Sequence, residues 1–373
     1  MQPHKYLTRG AIGVLGSIAA GAMLLSGAPV QSKDFPPAIA KLLVQAKKEG
    51  EFRLTWTSMG FKKGADRFEK GFNAYYGLKH KFQYSPGPHF AGATRKLAEE
   101  LAAGKPAFRD ISLIAGSPQV QFDLGNKTSM PVDWASLVPH LPADLVNNTL
   151  VSPDKRLITF ISQAPTIMYN TNVIKPADAP KSFKDLLNPK WKGMIASTPY
   201  AANFEDLVTH PNWRGDKARE FVDRFSNQLS GLIRCAELDR IASGEFPLFV
   251  TTCEPGLVRQ LAAKGAPVAQ NIPRDWRVVT HWYFGTPVHA VNPASSQLFI
   301  AWVLTPEGQK VLWTNEGADL HYLATSRNKP VFDAIEKEIG KPMIVETIRK
   351  QLTYHNEGFK KSVLAKFRAS QKK

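Results

Sequence analysis

Several short clusters of small, hydroxyl-bearing and aromatic residues carry the groups in this sequence best suited to non-covalent chemistry. They are Ser58 with Gly60, His89 with Phe90, Ser117 after Gly116, Thr198 with Tyr200 and Asn203, and Thr252 with Glu254. Each follows a β-rich run, and all but Ser117 precede a run with helical spacing. At such a junction the backbone N–H groups of a helix start are unpaired and the helix dipole is positive, so a carboxylate or phosphate can be held without a covalent step. The same residue types also cap helices and close turns in their own right, and for each residue taken singly both readings stand. His281 and Trp282 add a hydrogen-bonding ring and an apolar wall, with a satisfied structural histidine and an ordinary core tryptophan as the competing readings. Trp282 with His89, Phe90, Tyr200 and Phe284 suits the wall of a pocket that is mostly apolar with a few polar groups.

Covalent chemistry finds little support. There is no Gly-x-Ser-x-Gly elbow, His-Glu-x-x-His pair, Walker loop or Gly-x-Gly-x-x-Gly turn, so a secreted hydrolase or transferase is the weaker alternative to a binding protein. The two cysteines, Cys235 and Cys253, are expected to bridge in an oxidising compartment, against the reading of two separate buried thiols. Groupings with zinc-ligand spacing are absent, and neither a resident metal nor a cofactor is expected.

The elements that must position these clusters alternate. A helix ending at Glu49 leads into a strand from Glu51; a helix from Lys62, a strand ending at Tyr84, a helix from Phe90 and a strand ending at Ala115 follow. Strand, helix and strand in that order imply parallel pairing with right-handed crossovers. A second αβ set runs from Ser182 to Lys264. Two long extended stretches, near residues 156–170 and 277–291, flank it, the first broken at Pro165. The expected fold class is therefore α/β, with two αβ lobes joined by a two-strand hinge. The first lobe is assigned residues 33–160 and 285–373 and the inserted lobe 161–284. The segment Ile344 to Phe367 is expected as a helix on the first lobe.

Residues 1–32 read as a signal peptide. Lys5 and Arg9 precede an uncharged run from Gly10 to Val30, and the small-residue stretch Val30-Gln31-Ser32 follows, which places cleavage after Ser32. A membrane-spanning helix is the alternative for a run of that length. The chain has 48 lysines and arginines against 32 acids, a net charge of +16, which falls by two once the leader is removed. A positive field can steer anions into a cleft. The basic residues are spread along the whole length instead of forming one stripe, which argues against a nucleic-acid partner.

Four stretches carry a family likeness: Pro189-Lys-Trp-Lys-Gly-Met-Ile-Ala-Ser-Thr-Pro199, Ile241-Ala-Ser-Gly-Glu245, Ala263-Lys-Gly-Ala-Pro267 and Leu304-Thr-Pro-Glu-Gly-Gln-Lys-Val-Leu312. With the leader, they make the chain resemble the periplasmic solute-binding proteins of ABC importers, type II two-lobed class, in the branch that includes ferric-ion binders. The resemblance implies a periplasmic monomer that closes around a small organic or anionic ligand and docks on permease and ATPase subunits. Ferric ion is the rival ligand within the family. Its ferric members hold metal through adjacent tyrosines in the inserted lobe, whereas Tyr75-Tyr76 here lies on a first-lobe helix at core spacing.

Overall fold

The computed structural model describes residues 34–56, 62–87, 90–115, 127–252, 255–353 and 357–372. The first elements are α1 (Pro37–Glu49), β1 (Glu51–Thr55), α2 (Lys62–Tyr76), β2 (Lys81–Ser85), α3 (Phe90–Ala102) and β3 (Ser112–Ala115). β1 and β2 pair in parallel, Glu51 opposite Lys81 and Thr55 opposite Ser85, as strands joined through a helix do. α1 stops at Gly50, whose φ of 68° lets its N–H reach back to the Ala46 carbonyl, a closure that costs glycine little. Two carboxylates fix this half. Asp110 accepts from the Arg53 N–H and guanidinium and from Val291 and Asn292. Glu49 accepts from the Ala294 and Ser295 N–H groups at the next helix start, where negative charge is favoured.

The crossing comes as β4 (Ile158–Gln163) and β5 (Thr166–Asn170), separated only by Ala164 and Pro165. β4 pairs with the first-lobe sheet and β5 with the second. The second lobe adds β6 (Ile195–Ser197), α4 (Asp216–Ser226), β7 (Leu229–Leu232), β8 (Leu248–Thr252), α5 (Pro255–Ala263) and β9 (Val268–Asn271), in sheet order β7-β6-β8-β5-β9. Its strands alternate between two buried faces. Ile167, Tyr169, Leu248 and Val250 pack with Phe183, Trp213, Phe221 and Phe225. Met168, Ala196 and Phe249 face Ile241 and Val258 on the other side. A sheet covered on both faces reads as near-continuous apolar runs, which is the composition of β8.

β10 (Val278–Gly285) returns to the first lobe, pairing antiparallel with β3 and β4. Its start, Val278, still packs in the second core, while Trp282 and Phe284 pack in the first. Residues 278–284, assigned above to the inserted lobe, are thus strand residues of the first-lobe sheet. α6 (Pro293–Val303) and α7 (Pro306–Glu316) complete the first core, and α8 (Lys329–Ile339) packs beside the crossing.

The segment expected as one helix from Ile344 to Phe367 is three pieces. β11 (Ile344–Val345) extends the sheet by pairing in parallel with Val278 and Val279. A single turn, Ile348–Gln351, starts under a Thr347 cap. α9 (Glu357–Ser370) then packs on the second lobe, not the first. The reason is spacing: Phe359, Val363 and Phe367 form an i, i+4, i+8 stripe that enters the second core, with Phe367 against Phe204 at 5.1 Å and Phe225 at 5.9 Å. Lys360 reinforces this through the largely buried Glu205 at 2.9 Å. The chain therefore passes between lobes a third time, after Gln351. Among the described residues no helix is long and apolar enough to cross a membrane.

Candidate functional site

Of the residues singled out in the sequence, Ser58, Gly60, His89, Ser117, Cys253 and Glu254 lie outside the described residues, as does the leader. The others fall into two groups and one outlier.

The first group is Phe90 and Trp282. Phe90 opens α3, Trp282 sits on β10, and their rings meet at 5.2 Å. Both are largely buried, Trp282 lying against Phe160, which stacks on Phe284 at 3.5 Å. These aromatics belong to the first-lobe core, where α3 begins.

The second group surrounds residues 197–203, at the carboxyl ends of the neighbouring parallel strands β6 and β8, where open αβ sheets take their ligands. Thr198 Oγ1 accepts from the Ala202 N–H at 2.8 Å, and Thr251 donates to the Ala202 carbonyl. Ala201 and Asn203 have φ of 49° and 64°, a conformation asparagine tolerates and alanine does not favour. The Tyr200 hydroxyl accepts from the Cys235 N–H at 3.0 Å. Ser197 Oγ and Thr252 Oγ1 are buried without a hydrogen-bond partner among the described residues. Buried hydroxyls are normally paired, so this end of the sheet holds unspent hydrogen-bonding capacity.

The two groups flank the crossing. Trp282 pairs with Ile161 and Thr252 with Thr166, so about five residues of extended chain, roughly 16 Å, lie between their levels.

The outlier is His281. As Trp282's neighbour on a strand it points to the opposite face, where it is buried with Nδ1 3.0 Å from the Glu346 carbonyl. Burial lowers its pKa to about 4 despite that contact. The His321 and Tyr322 rings lie 5.7 and 6.0 Å away, and His321 Nδ1 is 2.7 Å from Ser162 Oγ. The structure does not bring His281 beside Trp282, Thr198 or Thr252 as one surface. The Tyr75-Tyr76 pair is likewise accounted for: the Tyr76 hydroxyl is buried and donates to the Leu298 carbonyl at 3.1 Å, and burial pushes its pKa well above the usual tyrosine value.

A feature that no sequence pattern announced lies on the other side of the crossing. A cavity of about 280 Å³ is lined by first-lobe residues Gln163, Asn328, Phe332 and Ile335 and second-lobe residues including Thr166, Arg259, Gln270 and Arg274. Arg259 reaches across the lobes, donating to the Gly317 carbonyl and to Asn328 Oδ1. The Gln-Ala-Pro break after β4 is the only sequence cue to this place; Arg259 is one polar position on an ordinary helix.

Comparison with known proteins agrees with this architecture. Residues 55–315 match the family model described as bacterial extracellular solute-binding protein. A curated relative, the Fe(3+)-binding periplasmic protein of Serratia marcescens, is 28% identical over 119 residues, 32% of this chain and 33% of that protein, so the alignment spans about a third of the relative's length. The crystal structure of the substrate binding protein of an ABC transporter from Agrobacterium tumefaciens is similar with a TM-score of 0.68 at 14% identity, covering 88% of this chain and 97% of that one. The periplasmic binding protein AfuA from Actinobacillus pleuropneumoniae, with fructose-6-phosphate bound, is similar with a TM-score of 0.59 at 16% identity, covering 87% and 99%. At these identities the structural likeness speaks to the fold, a two-lobed periplasmic binding protein. With the family match spanning most of a chain built as two αβ lobes around a crossing, the protein belongs to the bacterial extracellular solute-binding protein family.

Proposed function

We propose that this protein is the solute-capturing component of an ABC importer, taking a small organic or anionic ligand between its lobes in the periplasm and presenting it to permease and ATPase subunits. The observation that carries the reading is the pair of unpartnered buried hydroxyls, Ser197 and Thr252, at the carboxyl end of the second-lobe sheet, with the Phe90 and Trp282 wall across the crossing. Hydroxyl and backbone donors at one lobe and aromatic surface at the other fit a solute with an anionic head and an apolar or sugar-like body. Because the solute touches both lobes only when they are closed, binding favours closure in proportion to that difference.

The lobe boundaries that best fit the sheets fall at Ala164–Pro165 and between Asn271 and Val278, with α9 assigned to the second lobe. Export with cleavage after Ser32, a monomeric state, non-enzymatic action and a Cys235–Cys253 bridge belong to the same reading. Ferric ion is the second reading, favoured by the Serratia marcescens relative and weakened by the burial of Tyr76. The test is mass spectrometry of solutes released from the purified protein by unfolding, followed by titration of each into refolded protein. Recovery of a small anion that binds again supports the proposal. A coloured ferric complex with no organic solute replaces it, and a chemically altered product would make the protein an enzyme.

A further inference from the structure

We infer that the cavity at the lobe crossing is a binding site for a small organic monocarboxylate with an apolar body. The inference does not depend on where the transported solute sits, since the cavity shares no lining residue with the candidate solute site. Gln163 ends β4 with 5% of its surface exposed, and its side-chain amide makes no hydrogen bond with any described residue. Arg259 Nε is buried and likewise unpartnered, its Nη2 being committed to Gly317 and Asn328.

The other polar groups around the cavity are already spent. Arg274 is matched by Glu338 at 2.6 and 3.0 Å. Gln270 donates to the Pro255 carbonyl and accepts from Thr166. Asn271 donates to the Pro180 carbonyl and Asn328 to the Ser162 carbonyl.

No carboxylate among the described residues lines the cavity. The acid that acts on Arg259 from nearby is Asp319, whose oxygens accept from Ser326, Arg327 and Asn328. What remains is the Arg259 side chain and the Gln163 amide, both on the wall of a space of about 280 Å³. A carboxylate satisfies both, and charge-assisted hydrogen bonds of this kind are the strong ones. The rest of the wall, Val331, Phe332, Ile335 and Ile272, would leave a second ionised group unpaired, which is costly; hence a single carboxylate on an apolar body.

The test is calorimetric titration of the purified protein with benzoate, and with benzamide as its uncharged counterpart. Benzoate is expected to bind saturably and benzamide at least about tenfold more weakly, with Arg259→Gln and Gln163→Leu each weakening benzoate by about tenfold. If Arg259→Gln melts early, Gln163→Glu keeps the size and places a charge that repels the ligand, and it should abolish binding. Absence of saturable benzoate binding, equal binding of benzamide, or wild-type affinity in the hinge variants overturns the inference. So does a benzoate affinity that falls in Thr252→Val but not in those variants, since it moves the ligand to the β6–β8 end. The solute-capture reading is judged separately, by titrating Thr252→Val with the solute recovered from the protein.

Discussion

Gly256, near the start of α5 in the second lobe, and Gly317, the residue that closes α7 in the first, meet backbone against backbone. A Cβ at Gly256 would overlap the Glu316 carbonyl, and one at Gly317 would lie 2.5 Å from the Gly256 carbonyl oxygen. Gly317 also has a φ of 62°. Together with Arg259, which donates across the same seam, this pair sets how closely the two lobes approach on the α5 side.

Gly256→Ala should therefore open the lobes without unfolding either. Helical propensity alone would favour alanine by up to about 1 kcal/mol, so a loss cannot be charged to the helix. The expected result is an increased radius of gyration in small-angle scattering with solute-free protein, at a melting temperature close to wild type. An unchanged radius would mean that the seam yields by small shifts and does not set lobe spacing.

Thr252→Val should separate stability from affinity. Its hydroxyl is buried without a partner, and an unsatisfied buried hydroxyl costs about 1 kcal/mol or more. The variant is expected to unfold at equal or higher urea concentration than wild type while binding the recovered solute about tenfold more weakly. Lower stability together with unchanged affinity would show that Thr252 plays no part in solute capture.

Much of the framework behind these expectations was legible in the residues. An alternating run marked β1, extended apolar runs marked β5 and β8, and Pro165 marked the crossing, because period and chain breakers are local properties. The fate of residues 344–367 was not legible. Ile344 and Val345 are drawn into an edge strand by pairing with β10, and the Phe359, Val363 and Phe367 stripe does not say which of two cores it enters. His281 shows a different limit: it adjoins Trp282 in sequence, and the strand turns the two side chains to opposite faces. Gln163 and Arg259 are far apart in sequence, and only the fold puts both on the wall of one cavity.

Acidification should destabilise the protein through its buried histidines. Burial lowers His281 to about 4 and His321 to about 3, below the unfolded value of about 6.5. Above that value both states are neutral and stability is unaffected. As pH falls below it the unfolded chain takes up protons that the folded one refuses, so stability declines toward the folded pKa values. For His281 the loss is up to about 3 kcal/mol, read as the urea midpoint between neutral pH and pH near 4. His281→Gln should flatten that slope; an equally steep slope in the variant would shift the cause elsewhere.

Asp110→Ala should be the most damaging single change in the first lobe. It removes a fully buried carboxylate that accepts from Arg53, Val291 and Asn292, and breaking such a pair costs about 3–5 kcal/mol. Equilibrium urea unfolding should show the loss, with Asp110→Asn intermediate. A loss below about 1 kcal/mol would mean that the network re-forms around water.

The placement of α9 changes what kind of motion the molecule can make. With β4–β5 and β9–β10 as its only connections, the second lobe would be free to swing and to twist about that pair of strands. With Phe359, Val363 and Phe367 packed in the second core and Ile348 in a cluster with Ile114 and Tyr283, the chain is held on both sides, and a third connection would resist the twist. On the solute-capture reading proposed above, opening becomes a stroke in one direction, and the surface offered to a membrane partner changes the same way each time.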